Sequence, residues 1–441
     1  MDNLNIIVLA GGQSTRFTPL KNKLSYKFLG KSLLEIQLGF IKKLKPKKIY
    51  VVASESNFDD FSRFQKENPI ISTVMQEGTG MAGAAMSALK EIDDSDSVLV
   101  LNMDDFFDDS LILGLSKRME IAQKKKQGLL TGLWKEKYFP GGYLILDKKS
   151  KVTGVVEKPG EGNEPSKYVK MVCDFFYLAK TFRQALVEAK TEKDDQYEVA
   201  VGDLMKKKEV FDLFEYRGRW ETIKFPWHVL GVMDFFLSKI IGQQIAPDVV
   251  VAKSAVIKGE VIIESGTKIF EGAVINGPVY IGKNCIIANN ALVRHSMVGD
   301  GCVVGFATEV ARSYLMGNVW LHKNYVGDSV FENNVSLGSN VVTGNLRLDE
   351  TNVLVKIKDQ NVDTGLNKLG AIIGSDVRVG IGAMLMPGIK VGAGSFIGPG
   401  VVIGGEVEEN SYVVVKQELK ISENRVSVKE VSREKFKKQL K

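Results

Sequence analysis

The second half of this 441-residue chain repeats every six residues. Ile245, Val251, Ile257, Ile263, Ile269, Ile275, Ile281, Ile287 and Val293 follow one another at that interval. After a slip of one residue come Val298, Val304 and Val310, and a second run holds Ile373, Val379, Leu385, Val391, Ile397 and Ile403. One aliphatic residue per short unit means that each unit buries a single side chain and stacks on its neighbours for the rest of its core. Six is neither the period of a helix nor that of a continuous strand. It suits two-residue strands joined by tight turns, three of which close one triangular coil of a parallel β-helix. Residues 245–410 hold 24 of the 43 glycines, often directly after the repeated aliphatic, as in Ile281-Gly282 and Val391-Gly392. Coil corners need backbone angles that glycine adopts without strain. The repeat breaks at 311–325 and again between 345 and 370, and insertions in a solenoid become loops on one face. Both breaks are therefore expected to be loops that carry chemistry.

The first half follows a different pattern. Residues 5–10 read as a strand followed by a glycine loop, 32–43 as an amphipathic helix, 49–53 as a strand and 80–90 as a small-residue helix. Residues 98–102 read as a strand ending in Asp104, Asp105, Asp108 and Asp109, and 225–241 as a closing helix. Such alternation predicts an α/β sheet of Rossmann type with ligand loops at the carboxyl ends of its strands. The expected division is a domain over 1–240, a β-helix over 245–425 and a basic tail over 426–441. Hydrophobic residues at 44% and charged residues at 25% fit a globular chain rather than a disordered one. The net charge is +6, and residues 429–441, with six basic and two acidic side chains, supply most of it. What remains is too small to argue for nucleic acid as a partner. No apolar run reaches the length of a membrane span, and Ile6 to Ala10 is too short for a signal peptide. Cys173, Cys285 and Cys302 lack metal or redox spacing and read as buried residues of a cytoplasmic protein.

LAGGQSTRF follows the first strand, where glycines let backbone N–H groups approach a base and a triphosphate. Arg16 and Lys23 supply cations of the kind that phosphoryl chemistry needs against developing negative charge. Asp104, at the end of LVLNMD, is placed to hold Mg²⁺. Among the three histidines, His322 lies in the first break, in LHKNYVGD, three residues from Tyr325. Acyl transfer to an amine needs a base with a near-neutral pKa, which histidine provides. His228 reads as packing and His295 as a coil-corner residue.

LAGGQSTRF with Lys23, eight residues before Lys31, resembles the signature loop of the sugar-1-phosphate nucleotidyltransferases. That resemblance makes Arg16 and Lys23 catalytic, and Leu9, Ala10, Gly11 and Gly12 nucleotide-binding. QEGTG is similar to the family's base-recognition stretch and adds Gln76 and Gly80. LNMDDF is similar to its metal motif and points to Asp104. GGY and VEKP imply sugar-phosphate contacts at Gly142, Glu157 and Lys158. Thr222 stands where the resemblance puts a second metal-binding carboxylate or Asn, with Glu221 beside it.

The hexapeptide coils with HKNYVGD, SLGSNVVTGN and NKLGAIIG resemble the acetyltransferase half of a bifunctional family, the glucosamine-1-phosphate acetyltransferase/N-acetylglucosamine-1-phosphate uridylyltransferases of archaeal type. This implies a left-handed parallel β-helix, with His322 as general base and Tyr325, Asn345 and Lys368 binding the acceptor. It also implies Ser339 on the acetyl-CoA channel, Arg294 and Arg312 in place of the family's basic residues, and a homotrimer with acyl sites between subunits. The implied substrates are a nucleoside triphosphate, a sugar-1-phosphate and acetyl-CoA, with Mg²⁺ as cofactor. Three readings stay open: the bifunctional enzyme, a nucleotidyltransferase with the β-helix as trimerisation scaffold, and a sugar-nucleotide-binding regulatory subunit. The tail reads as a solvated helix, with Val431, Phe436 and Leu440 available to cap the solenoid.

Overall fold

The apolar run Leu4–Leu9 forms a strand inside a parallel sheet, where both faces are covered and alternation is not needed. The computed structural model describes residues 3–12, 14–21, 23–428 and 431–439. Leu4–Leu9 pairs in parallel with Lys48–Ala53 on one side and Ser97–Asn102 on the other. Ile71–Met75 extends the parallel part, and Tyr168–Phe176 joins it antiparallel to Ser97–Asn102. Four further strands complete a nine-stranded sheet. The helices Leu33–Ile41 and Gly80–Leu89 cover it, the first held by a capping box between Ser32 and Glu35. In this register Leu9, Met75 and Asn102 finish at one end of the sheet, so the glycine loop, Gln76 and Asp104 leave it together. The closing helix is shorter than the sequence suggests, spanning His228–Leu237, because residues 225–227 form a turn before it.

From Gln243 onward the chain winds into three parallel sheets of eight, nine and eight short strands. This is the β-helix that the six-residue period predicts. Its inward aliphatics form one cluster from Val261 to Val407. Coils are not equal in length. Eighteen residues separate Ile263 from its partner Ile281, seventeen separate Ile281 from Val298, and sixteen separate Leu315 from Phe331. The first break is thus no loop. Through 311–325 the coil runs on as Tyr314–Leu315, Trp320–Leu321 and Tyr325–Gly327, and each shortened corner lacks one residue.

Losing that residue would strand a backbone N–H, and a ladder of buried serines receives it. The Ser296 hydroxyl accepts from Ser313 N–H at 3.0 Å, Ser313 from Ser329 at 3.1 Å, and Ser329 from Ala371 at 3.0 Å. His295, Arg312 and Asp328 precede these serines with φ of 47°, 49° and 49°, so side chains instead of glycines occupy the tight corners. The second break is a true insertion. Between Val342–Thr343 and Ile372–Ile373 the chain makes the hairpin Leu354–Ile357/Gln360–Asp363.

One face of the β-helix packs against the first half. Phe28, Phe106, Trp227 and Phe236 share an apolar cluster with Tyr280, Met297, Tyr314 and Val330, which Val353 and Val355 of the insertion extend. Tyr26 stacks on Tyr314 with ring centroids 5.5 Å apart. The Tyr314 hydroxyl donates to the Lys27 carbonyl at 2.9 Å and accepts the Lys27 N–H at 3.1 Å. Glu332 accepts from the Lys21 N–H at 2.7 Å and from the Tyr26 hydroxyl at 3.1 Å, and burial pushes its carboxyl up. The tail forms a helix, Val431–Gln439, whose Phe436 is 69% exposed, so it caps nothing through that residue. Leu440 lies outside the described residues. Tyr314→Ala removes the stack and both hydrogen bonds. It is expected to cost about 3–5 kcal/mol, as for other buried aromatic truncations. In calorimetry it should split unfolding into two transitions.

Candidate active site

A cleft of about 1710 Å³ opens at the carboxyl ends of the parallel strands. Leu9, Ala10, Gly11, Gly12, Arg16, Lys23, Gln76, Gly80, Asp104, Gly142, Glu157 and Lys158 all line it. A Cβ on Gly11 would overlap the side-chain oxygen of Gln76 in its present position, so glycine there lets the Gln76 amide lie against the loop. Gln76 is held by its amide, which donates to the Gly78 carbonyl at 3.2 Å and the Gly80 carbonyl at 3.3 Å.

Lys23 Nζ donates to Asp104 Oδ2 at 2.9 Å and to the Ile223 carbonyl at 2.7 Å. Asp105 points the other way. It is buried, faces Thr222 across the Trp220–Thr222/Asp105–Phe107 pairing, and is pushed up to about 6, chiefly by burial. Glu221 is tied to Arg219 at 3.0 Å. Among the described residues, no three His, Cys, Asp or Glu side chains are grouped as metal ligands. Asp104 stands at the end of its strand on the cleft wall, paired with Lys23. Mg²⁺ needs only one or two carboxylates beside substrate phosphates, so this donor set fits it.

The second set of predicted residues divides between two corners of the β-helix. His322 lies at the corner after Trp320–Leu321, exposed, with no partner for its ring among the described residues. Ser339 stands in the same corner one coil on, where the Asn340 N–H donates to the Lys323 carbonyl at 2.7 Å. Tyr325 lies on the face between the corners. Asn345 donates to its hydroxyl at 3.2 Å and also to Asp328, which Arg312 holds at 2.6 and 2.7 Å. Arg294 is paired with Glu309. Lys368 bridges to Leu346 and, with Arg312 and Asp328, also lines the nucleotide cleft. Of the three expected acceptor residues Lys368 lines the cleft, and Asn345 adjoins its wall through Asp328.

A nucleotidyl transferase family model matches residues 5–223, and a bacterial transferase hexapeptide model of six repeats matches 260–295 and 370–405. The gap between those two hexapeptide matches holds most of the shortened coils and the insertion. A bifunctional sugar-1-phosphate nucleotidylyltransferase/acetyltransferase of Sulfurisphaera tokodaii is 31% identical over 86% of this chain and 92% of its own length. The chain belongs to this family. The "bifunctional protein GlmU" of Methanococcus maripaludis is 32% identical over 96% of this chain and 100% of its own length, and that of Methanocaldococcus jannaschii 29% over 94% and 98%.

Within this nucleotidylyltransferase/acetyltransferase several cleft residues carry no sequence signal of their own. His228 packs edge-on against Phe225 and Trp227, with ring centroids 5.4 and 5.9 Å away, and is also cleft wall. Its Nδ1–H donates to the Thr222 carbonyl at 2.9 Å, and its pKa falls to about 4 through burial first, then Lys224, Lys23 and Arg16. His295, besides turning a corner, binds Asp234 of the closing helix at 2.8 Å, and Asp234 also holds Arg219 at 2.7 Å. On the far wall, Lys170 is held by Asp174 at 2.8 Å, and Tyr197 donates to the same oxygen at 2.9 Å. The three cysteines are buried and free, with the thiols of Cys173 and Cys285 pushed up to about 12 and about 11 by burial. No described helix is long and apolar enough to cross a membrane.

His228 has a folded pKa below its unfolded value, so the stability it contributes is complete above pH 6.5 and is lost as pH falls through about 4. Its ring resonances in a proton NMR titration should hold their neutral positions from about pH 7 to pH 5, where an ordinary histidine has already moved.

Proposed function

We propose that this chain makes a nucleotide-linked N-acetylated amino sugar in two steps, in the cytoplasm and as a homotrimer. The first is acetyl transfer from acetyl-CoA to glucosamine-1-phosphate on the β-helix. The second is uridylyl transfer from UTP to the acetylated sugar phosphate in the cleft, releasing pyrophosphate. The observation that carries the reading is the joint lining of one cleft by every residue expected of a nucleotide and sugar-phosphate site, with the Lys23–Asp104 pair on its wall. A division into 1–240, 245–425 and a tail suits it, the cleft belonging to the first part and the acyl corner to the second.

In the cleft the glycine loop and Gln76 bind the nucleotide, while Gly142, Glu157 and Lys158 hold the sugar phosphate. A phosphate oxygen of the sugar attacks the α-phosphorus, the bond to the β-phosphate oxygen breaks, and pyrophosphate leaves. Lys23 and Arg16 stabilise the charge that develops on the transferred group. Mg²⁺, when bound at Asp104 and phosphate oxygens, supplies further charge stabilisation there.

On the β-helix the His322 ring takes the proton from the amine as nitrogen attacks the thioester carbonyl. The C–N bond forms, the C–S bond breaks, and the thiol leaves. Tyr325, Asn345 and Lys368 orient the acceptor, and Ser339 lines the path of the acetyl donor. Val250, Trp320, Phe396 and Tyr412 are exposed along one face, with Val342, Met384 and Val402 along the next. Lys268, Ser336 and Arg378 interrupt the first row, while Val342, Met384 and Val402 follow one another directly in the second. Exposed apolar rows of this kind support burial against further copies of the chain.

Two variants separate the steps. His322→Ala should abolish thiol release from acetyl-CoA with glucosamine-1-phosphate and leave pyrophosphate release from UTP and the acetylated sugar phosphate intact. Lys23→Ala should do the reverse. Wild-type protein that releases pyrophosphate but never thiol would reduce the β-helix to a scaffold. Protein that binds nucleotide and releases neither would make the chain a regulatory subunit. Trp320→Glu should shift the mass seen by light scattering from three chains toward one.

A further inference from the structure

The turn between Thr222 and the closing helix gathers cations in a way that the signature motifs do not express. Ile223 offers its carbonyl to Lys23 Nζ at 2.7 Å. Phe225 carries the Arg16 guanidinium over its ring, 5.7 Å from the centroid. Lys224 lies between them, exposed and lining the same cleft. Two cations from the signature loop thus bind the residues on either side of a third. All three act on one reporter, His228, which they help to keep neutral.

Charge accounting shows what is missing. Lys23 is matched by Asp104, Lys170 by Asp174, Arg219 by Glu221 and Asp234, and Arg312 by Asp328. Lys224 and Arg16 have no ion-pair partner among the described residues, and neither do Lys135, Lys158 and Lys368 elsewhere on the cleft. Lys224 acts on buried Asp105 only through its field, which lowers that carboxyl. The carboxylates nearest the turn are already committed. Asp105 is buried behind Thr222, and Glu221 is held by Arg219. Thr222 itself brings no charge to the place where the family resemblance leads one to expect a carboxylate or Asn. A cleft wall that offers unpaired cations and lacks that ligand suits a polyanion more than a second metal ion. The sugar-side residues Gly142, Glu157 and Lys158 come from other strands, Gly142–Leu146 and Lys151–Glu157, and the loop after them. The triphosphate end of the nucleotide is the polyanion left for this turn.

We infer that Lys224 binds the β- and γ-phosphates of the nucleotide and the departing pyrophosphate, taking up charge that a second metal carboxylate would otherwise manage through its ion. The assignment rests on nucleotidyl transfer in this cleft. Lys224 stabilises the leaving group as the bond between the α-phosphorus and the β-phosphate oxygen breaks, and it transfers no proton. Lys23 and Arg16 remain with the transferred α-phosphoryl group.

The test is the reverse reaction, in which pyrophosphate attacks UDP-N-acetylglucosamine. Lys224→Ala should raise the KM for pyrophosphate about tenfold or more, the loss expected for a charge-assisted contact. The KM for the nucleotide sugar should stay within about twofold, and Lys224→Arg should restore most of the loss. An unchanged KM for pyrophosphate, or an equal rise in both constants, overturns the assignment. Calorimetric titration of magnesium pyrophosphate into wild type, Lys224→Ala and Lys224→Arg reads the same contact without turnover. Wild type that binds pyrophosphate tightly but turns over no nucleotide sugar would defeat the functional reading and leave the Lys224 contact standing. Equal affinity in Lys224→Ala and wild type would defeat the contact alone. Matching circular dichroism melts exclude unfolding as the cause.

Discussion

Every strand of the β-helix is too short to stand alone, so each coil exists only because the coils on either side bury its inward aliphatic and complete its hydrogen bonds. That mutual dependence fixes register along the whole solenoid. It also makes a missing residue expensive, since a shortened corner exposes a backbone donor to an apolar interior. The serine ladder from Ser296 to Ser329 solves this by giving each stranded N–H a hydroxyl in the coil before it. At these corners stand His295, Arg312 and Asp328, as Asn284, Asn290 and Asn334 stand at others. His295 then meets Asp234 of the closing helix, and Asp328 meets both Arg312 and Asn345. The polar character of the inner wall between the halves therefore follows from a packing problem.

The two halves are joined by more than the chain. Tyr314 stacks on Tyr26, and its hydroxyl is satisfied by a single residue, Lys27, through both backbone groups. Aromatic rings with one polar handle suit such a place, because they bury area while the hydroxyl fixes their orientation. The contact holds the segment that carries Lys23 against the solenoid. The closing helix is held by His295 from the same side. Both the segment that carries Lys23 and the closing helix are thus referenced to the β-helix. This is also why the cleft wall includes Arg312, Asp328 and Lys368, residues that a purely domain-wise view assigns to the other reaction.

Much of this was legible in the chain. The glycine loop and Asp104 follow strands whose apolar runs are plain in the sequence, whereas the strand before Gln76, ISTVM, carries no such run and emerges only from its parallel pairing. The first break in the repeat was misleading. A gap in a periodic pattern looks the same whether a residue is lost from a coil or a loop is added to it. Only the pairing of Tyr314 with Met297 and Val330 shows that the solenoid runs through. His228 was opaque for a related reason, since tryptophan and proline neighbours suggest packing. Its role as wall depends on the turn Thr222–Phe225 folding back on the signature loop.

The sequence by itself determined the two architectures and the chemistry available to each, because hydrophobic period and glycine placement act locally and need no partner to be read. It also placed a glycine loop directly after the first strand, which a single strand and turn suffice to set. What only the tertiary structure decided is which charges remain unspent. Lys23, Lys170, Arg219 and Arg312 are neutralised by carboxylates distant in sequence or, in two cases, a few residues away, while Lys224 is not. Pairing is a property of distances between side chains, and no spacing along the chain encodes those distances until the halves have packed.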